Sequence, residues 1–253
     1  MNYTSVTNRN WKFKTFDTKE AEKLSQDHSL DEIQSKLLAI RNIKTNEVKN
    51  FLNPLLKNLM PNPNILIDMD KGVEIVYKAV IQNKTIGIFG DYDVDGATST
   101  AMLSKYFSNI GIKSVFYIPD RKKDGYGPNI NSFKKLISLG SELIITVDCG
   151  TVAFEAIKYA QEQNIDVVVL DHHQSEINLP KAYAVINPNR LDDDSNLNYL
   201  CSAGVTLMFL VSLNRYLRKN NWFIKSKNNE PNVLNFLDLV SLGTVCDIVP
   251  LVK

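Results

Sequence analysis

The chain has 253 residues, 44% hydrophobic and 23% charged, which is the balance of a globular protein and excludes a disordered, collagen-like or coiled-coil chain. With 29 basic and 28 acidic residues the net charge is +1, so no global field marks a nucleic-acid partner, although a local basic groove fits inside a neutral total. Three cysteines without paired spacing, a start lacking a signal-peptide apolar run, and no stretch long enough to span a bilayer lead to the expectation of a cytoplasmic protein without membrane contact.

Residues 1–80 read as helical with no clear strand. Asp17 or Thr18 caps a first helix, and SLDE at 29–32 reads as a capping box, Ser29 with Glu32. Leu30, Ile33, Leu37 and Ile40, with Leu38 beside them, follow the 3.6-residue period of one buried face. Pro54 ends a short third helix and PNPN at 61–64 is a break. A helix is expected from about Asp70 to Gln82, with Val73, Val76, Tyr77 and Val80 on one side.

From residue 84 short apolar runs alternate with amphipathic segments: TIGIF (85–89), SVFYI (114–118), LIITV (143–147), DVVVL (166–170) and YAVI (183–186). Helical candidates lie at 97–109, 130–139, 151–163, 203–219 and 232–243. Strands apolar on both faces and separated by helices indicate a parallel sheet covered on both sides. The expected fold class is therefore α/β: a doubly wound, mostly parallel sheet over 83–253, preceded by a helical N-terminal segment over 1–82 that packs on the core.

Ligands of such sheets bind beyond the carboxyl ends of the strands. GDYDVDG places Asp91, Asp93 and Asp95 directly after one run, Asp148 follows the third, and Asp171-His172-His173 follows the fourth. Carboxylates about 5 Å apart at an effective dielectric of about 20 repel by roughly 3 kcal/mol per pair, so bound cations are the simplest way to hold them together. Oxygen-rich ligation with imidazole suits Mn²⁺ or Mg²⁺, and carboxylates from several strands suit a two-metal site for phosphoryl chemistry. Each motif alone has an ordinary structural explanation. Asp148 reads as a helix cap, Asp95-Gly96 as a turn with Gly96 at positive φ, Asp192 to Asp194 as a solvated loop, and Cys149 as packing. Convergence on one sheet edge is what favours a site.

At GDYDVDGATST, VDCG and DHH the chain resembles the DHH phosphoesterase superfamily and, within it, the RecJ family of bacterial single-strand-specific exonucleases. NWKF, FLNP, IDMD, IPDRKKDGYG, YLCSAGV and LGTVCDIVPL extend the resemblance over essentially the whole chain. It implies two divalent cations, Mn²⁺ or Mg²⁺, with Asp93 and Asp95 each holding one and Asp148 bridging. His172 and Asp247 complete the second site, Asp91 is outer support or an additional ligand, and His173 faces the scissile phosphate. The implied reaction is stepwise 5′→3′ removal of 5′-mononucleotides from single-stranded DNA, in DNA repair and recombination.

On the substrate side, Arg121 and Tyr126 lie in the loop after the second strand and offer a phosphate contact and a stacking ring, with Arg190 weighed as a further contact. Ser202 to Gly204 opens a helix whose free N–H groups are expected to receive a phosphate. The family continues into a DHH-associated domain and an oligonucleotide-binding barrel, and the chain is expected to lack both. The expectation is a catalytic-core fragment of weak, non-processive activity, or one partnered by a separately encoded C-terminal half. The alternatives are a small-substrate phosphodiesterase, acting on oligoribonucleotides or cyclic dinucleotides, and an inactive remnant or binding module. A pyrophosphatase is disfavoured by Phe89, where that branch carries histidine.

Overall fold

The structure is a computed structural model and describes residues 2–12 and 14–251. Two compact units divide it, one through Pro61 and a larger one from Asn62 onward.

The first unit opens on a strand pair that the helical reading omitted. β1 (Asn2–Thr4) and β2 (Asn10–Lys12) run antiparallel, and Asn8 takes the left-handed region in the turn at φ 57°. Strands of three residues carry too little alternation to register as a period-2 pattern. α1 (Thr18–His28) is capped by Asp17, whose carboxylate accepts from the Lys19 and Glu20 N–H groups. Ser29 does not open the next helix. It sits at φ 53° and closes α1, and the capping box lies two residues later, Asp31 with Gln34, at the start of α2 (Glu32–Ile40). The buried face moves accordingly. Ser35, Leu38 and Ala39 turn inward while Ile33 and Leu37 are exposed, and Ala21, Leu24, Leu38, Ala39, Ile43 and Val48 form the core of this unit. α3 (Val48–Leu52) and α4 (Leu56–Leu59) complete it.

The second unit begins with a single turn at Pro63–Ile65 and α5 (Met69–Ile81), so the boundary falls near residue 61 rather than 82. α5 buries Met69, Val73, Val76, Ala79 and Val80. The parallel sheet follows: β3 (Ile86–Gly90), α6 (Val94–Asn109), β4 (Ser114–Tyr117), α7 (Ile130–Ser138), β5 (Leu143–Val147), α8 (Phe154–Glu162), β6 (Asp166–Leu170) and β7 (Ala184–Ile186). The chain then forms α9 (Ser202–Lys219), α10 (Trp222–Ser226), a turn at Val233–Phe236 and α11 (Leu237–Cys246). Spatial order is β4-β3-β5-β6-β7, all parallel. The chain leaves β3 for one side and later returns to the other with β5, so the topological switch point lies between β3 and β5.

Both sheet faces are covered. Phe89, Ile144, Val167, Val169 and Val185 pack with Phe133 and Leu136 of α7 and Ala156, Ile157 and Ala160 of α8. α5, α6 and α9 cover the opposite face. Arg190, weighed as a phosphate contact, instead ties these layers together. Its buried guanidinium donates to Asp68 Oδ2 at 2.8 Å and Val185 O at 2.7 Å, and pairs with Asp192. Asp193 accepts the Ile67 N–H at 3.1 Å, so the acidic run is partly structural rather than simply solvated. Arg190→Ala should therefore cost roughly 1.5–3 kcal/mol of stability in urea unfolding while leaving Mn²⁺ affinity unchanged. Among the described residues no helix is long and apolar enough to cross a membrane.

Candidate metal centre

Three strand ends and one helix end converge. After β3, the chain turns tightly enough that a Cβ on Gly96 would lie 2.5 Å from the Asp91 carbonyl oxygen. Glycine is needed for that close approach and not, as the turn reading had it, for a positive φ. Asp93 caps α6 by accepting the Gly96 N–H at 2.9 Å. Two positions further on, Asp95 is buried, and both its oxygens are held at the start of α9, by Ser202 N–H at 2.6 Å and Ala203 N–H at 2.8 Å.

That pairing corrects one expectation. The amides of Ser202 and Ala203 are taken by Asp95, and Ser202 and Gly204 are buried, so this helix start does not receive a phosphate. Its positive end serves instead to hold a carboxylate. The sequence offers no signal for this, because Asp95 and Ser202 lie 107 residues apart.

Asp148, directly after β5, is buried at φ 62°, and neither carboxylate oxygen has a hydrogen-bond partner. Burial and the neighbouring Asp95 and Asp93 charges push its pKa far above the ordinary carboxylate value. His172 Nε2 lies 3.2 Å from Asp148 Oδ1, 3.5 Å from Asp247 Oδ2 and 3.7 Å from Asp95 Oδ2. It too is buried with no hydrogen-bond partner, as is Asp91 Oδ1. Asp247 reaches the cluster from the end of α11, and burial raises its pKa, with the Asp95 and Asp93 charges adding and His172 opposing.

His173 lies against the cluster, one ring nitrogen within 4.8 Å of ligand atoms of Asp148 and His172, but makes its bonds elsewhere. Its Nδ1 is 2.8 Å from Asp171 Oδ1, and the Tyr126 hydroxyl is 3.3 Å from its Nε2. Asp171, to which the sequence assigns no role, is the partner that holds His173. Burial alone would raise its pKa, but the His173 hydrogen bond and charge, with the Thr151 N–H, hold it well below the usual range. The bond to Asp171 in turn raises the His173 pKa. A histidine two residues after a buried strand-end aspartate was the available signal. Arg121 lies over the Tyr92 ring at 5.3 Å, and Tyr126 of the same loop reaches His173. Tyr126, His173, Gly150 and Thr151 line a small cleft of about 190 Å³. Cys149 is a buried thiol whose pKa burial drives up, consistent with packing.

Gly243 sets how closely α11 approaches. A Cβ there would lie 2.7 Å from Asp95 Oδ1 and 2.9 Å from both Ala203 Cβ and Thr98 Oγ1. Its carbonyl accepts the Asp247 N–H at 2.9 Å, so moving Gly243 moves Asp247. Gly243→Ala should weaken Mn²⁺ binding by about tenfold in calorimetry, with the fold retained.

The donor set suits divalent cations. Ligand atoms of Asp91, Asp93 and Asp148 lie within 4.8 Å of one another, as do those of Asp95, His172 and Asp247 and those of Asp148, His172 and His173. Buried carboxylate oxygens with no donor are untenable as bare anions, and hard cations bind such oxygen-rich sets. The fold and site thus define a doubly wound α/β protein with a carboxylate–imidazole cluster at its switch point. The profile of the DHH family, N-terminal domain, matches residues 85–244, and the chain belongs to that family.

Among curated relatives, the single-stranded-DNA-specific exonuclease RecJ of Escherichia coli is 38% identical over 187 residues, 74% of this chain and 32% of the relative. The Bacillus subtilis protein of the same name is 30% identical over 241 residues, 95% of this chain and 29% of the relative. The chain therefore spans about a third of the length of these relatives. A crystal structure of exonuclease RecJ bound to manganese superposes with a TM-score of 0.63 at 29% identity, covering 74% of this chain and 44% of that one. RecJ from Thermus thermophilus in complex with Mn²⁺ shares the fold, with a TM-score of 0.71 at 23% identity over 94% of this chain and 32% of that one.

Proposed function

We propose that this chain is the catalytic core of a metal-dependent phosphodiesterase that removes 5′-mononucleotides from single-stranded DNA in the 5′→3′ direction, in DNA repair and recombination. The observation that carries the reading is the place of Asp148: it groups with Asp91 and Asp93 and lies 3.2 Å from His172, which itself groups with Asp95 and Asp247, while His173 is bonded to Asp171. Relatives named single-stranded-DNA-specific exonucleases, and a RecJ structure with bound manganese, support the choice of substrate and cation.

In this reading Asp91, Asp93 and Asp148 hold one divalent cation, Mn²⁺ or Mg²⁺, and Asp95, Asp148, His172 and Asp247 hold the other. Asp91 then acts as a ligand rather than outer support. The cations supply Lewis acidity that activates water and neutralises charge developing on the phosphoryl group. His173, its pKa raised by the bond to Asp171, stabilises phosphoryl oxygens or delivers a proton to the leaving oxygen. Arg121 contacts the nucleic-acid backbone and Tyr126 offers a ring for stacking. Unpaired cysteines fit a reducing cytoplasm.

The test is Mn²⁺-dependent release of 5′-mononucleotides from 5′-labelled single-stranded DNA. It uses wild type and Asp148→Ala, alone and with a separately supplied C-terminal half. The expected result is weak release by wild type alone, stimulation by the added half, and none from Asp148→Ala. Activity unaffected by Asp148→Ala would overturn the two-cation assignment. Cleavage of cyclic dinucleotides or oligoribonucleotides but not single-stranded DNA would move the assignment to a small-substrate phosphodiesterase. No hydrolysis in any arm would leave a binding module.

A further inference from the structure

Two adjacent histidines face different ways. His172 turns toward Asp95, Asp148 and Asp247, while His173 turns toward Asp171 and Tyr126. Their backbone lies just beyond the last β6–β7 pair, Leu170 with Ile186, where ladder hydrogen bonding has ended. The two peptide carbonyls therefore need partners from outside the sheet.

Both find them in Asn187-Pro188-Asn189, directly after β7. Asn187 is fully buried, and its Nδ2 donates to His173 O at 2.9 Å and to Thr151 Oγ1 at 2.8 Å. Its Oδ1 accepts the Asn189 N–H at 2.7 Å. Asn189 Nδ2 donates in turn to His172 O. Pro188 between them has a fixed φ, which stiffens the segment. A ring closes on the other side. The Thr151 N–H donates to Asp171 Oδ2 at 3.0 Å, and Asp171 Oδ1 lies 2.8 Å from His173 Nδ1. From Asn187 through Thr151 and Asp171 to His173 and back, the links alternate between side chains and the backbone of Thr151 and His173. Asparagine suits the position because it donates twice and accepts once; aspartate would face two acceptor oxygens with none of its own protons.

We propose that Asn187 and Asn189 are positioning residues that divide the labour of the histidine pair. Asn189 orients His172 toward the cations, and Asn187 orients His173 toward the substrate phosphate. The roles assigned to the histidines rest on the two-cation phosphodiesterase reading; the division between the two asparagines does not.

The test compares Asn187→Ala, Asn187→Ser and Asn189→Ala in this chain, each confirmed as folded by thermal melting. Mn²⁺ affinity is read by calorimetry, and the His173 Nδ1–H by histidine-labelled NMR of the metal-free protein. Asn189→Ala is expected to weaken Mn²⁺ binding by about tenfold or more and to keep the His173 signal. Asn187→Ala is expected to lose the slowly exchanging His173 Nδ1–H and to keep Mn²⁺ affinity within about twofold. It should also lower kcat on single-stranded DNA by about 10–100-fold with little change in KM. Asn187→Ser, which retains a shorter donor, should lie between wild type and alanine, and carries the comparison where alanine does not fold. Equal effects of the two positions on both readouts, or a folded Asn187→Ala that keeps the protected signal, would overturn the proposal. So would rapid exchange of the His173 Nδ1–H in wild type. Absence of nuclease activity in wild type would overturn the nuclease reading alone, because calorimetry and NMR do not pass through it.

Discussion

Asp148→Asn is expected to raise the melting temperature of the metal-free protein at neutral pH and to lower it, relative to wild type, once Mn²⁺ is added. Asp148 is buried among Asp93 and Asp95 with no donor to either oxygen, and its pKa is driven far above the ordinary range by burial first and by those charges second. The sign follows from proton linkage. An unfolded aspartate titrates near about 3.9, so above that pH the folded, metal-free protein holds a proton that the unfolded chain has released. Stability is then greatest below about pH 4 and declines as pH rises toward the folded pKa. Asparagine has no such proton, which removes this decline and most of the repulsion. For a chain of this size each kcal/mol recovered moves the midpoint by about 2–4 °C.

With cations present the order inverts. Wild type gains about 2.7 kcal/mol when free metal stands at about one hundred times Kd, whereas the variant has lost a carboxylate that groups with Asp91 and Asp93 and lies beside His172. Scanning calorimetry across pH, with EDTA and with Mn²⁺, measures both halves. A metal-free variant that melts below wild type at neutral pH would show that Asp148 is not held against electrostatic strain.

The second large effect is on His173. Asp171→Asn should lower the His173 pKa and reduce turnover by about 10²–10⁴-fold, the range over which positioned proton transfer contributes. The bond from Asp171 is the first cause of the raised pKa, ahead of the opposing effect of burial. Because the folded pKa is raised, this contribution to stability is complete below the unfolded value of about 6.5 and is lost as pH rises through the folded value. The partner runs the other way: the depressed Asp171 pKa stabilises above about pH 4 and is lost in acid. Removing the carboxylate should therefore shift the alkaline limb of the pH–rate profile toward acid. It should also lower the NMR midpoint of His173 in the metal-free protein. An unchanged midpoint with normal turnover would separate Asp171 from the chemistry and leave it a structural anchor.

Much of the fold was legible because its signals are local. Ile86–Gly90, Leu143–Val147 and Asp166–Leu170 are apolar runs of strand length, buried on both faces save the first residue of β6, and their helices follow at the expected intervals. Where competing local signals met, the reading slipped. Ser29 satisfies a capping-box pattern, but it lies at the end of α1, and the carboxylate of Asp31 takes the next helix start instead. Ser202 to Gly204 looks like an open anion site until a carboxylate from α6 is found on it. Arg190 looks like a loop cation, yet its partner Asp68 lies 122 residues away.

A net charge of +1 does not say where the charges of a globular chain lie. Spacing along the sequence was sufficient to place Asp91, Asp93, Asp95, Asp148 and the His172–His173 pair at strand ends, because strand ends are set by short-range periodicity. The tertiary structure alone decided which of these carboxylates have donors and which have none. It also turned the two histidines apart and brought Asp247 in through the gap left by Gly243. Those outcomes depend on groups distant in sequence meeting in space, the farthest being Asp95 with the Ser202 and Ala203 amides, 107 and 108 residues on. Only the packing of α9 and α11 onto α6 brings that about.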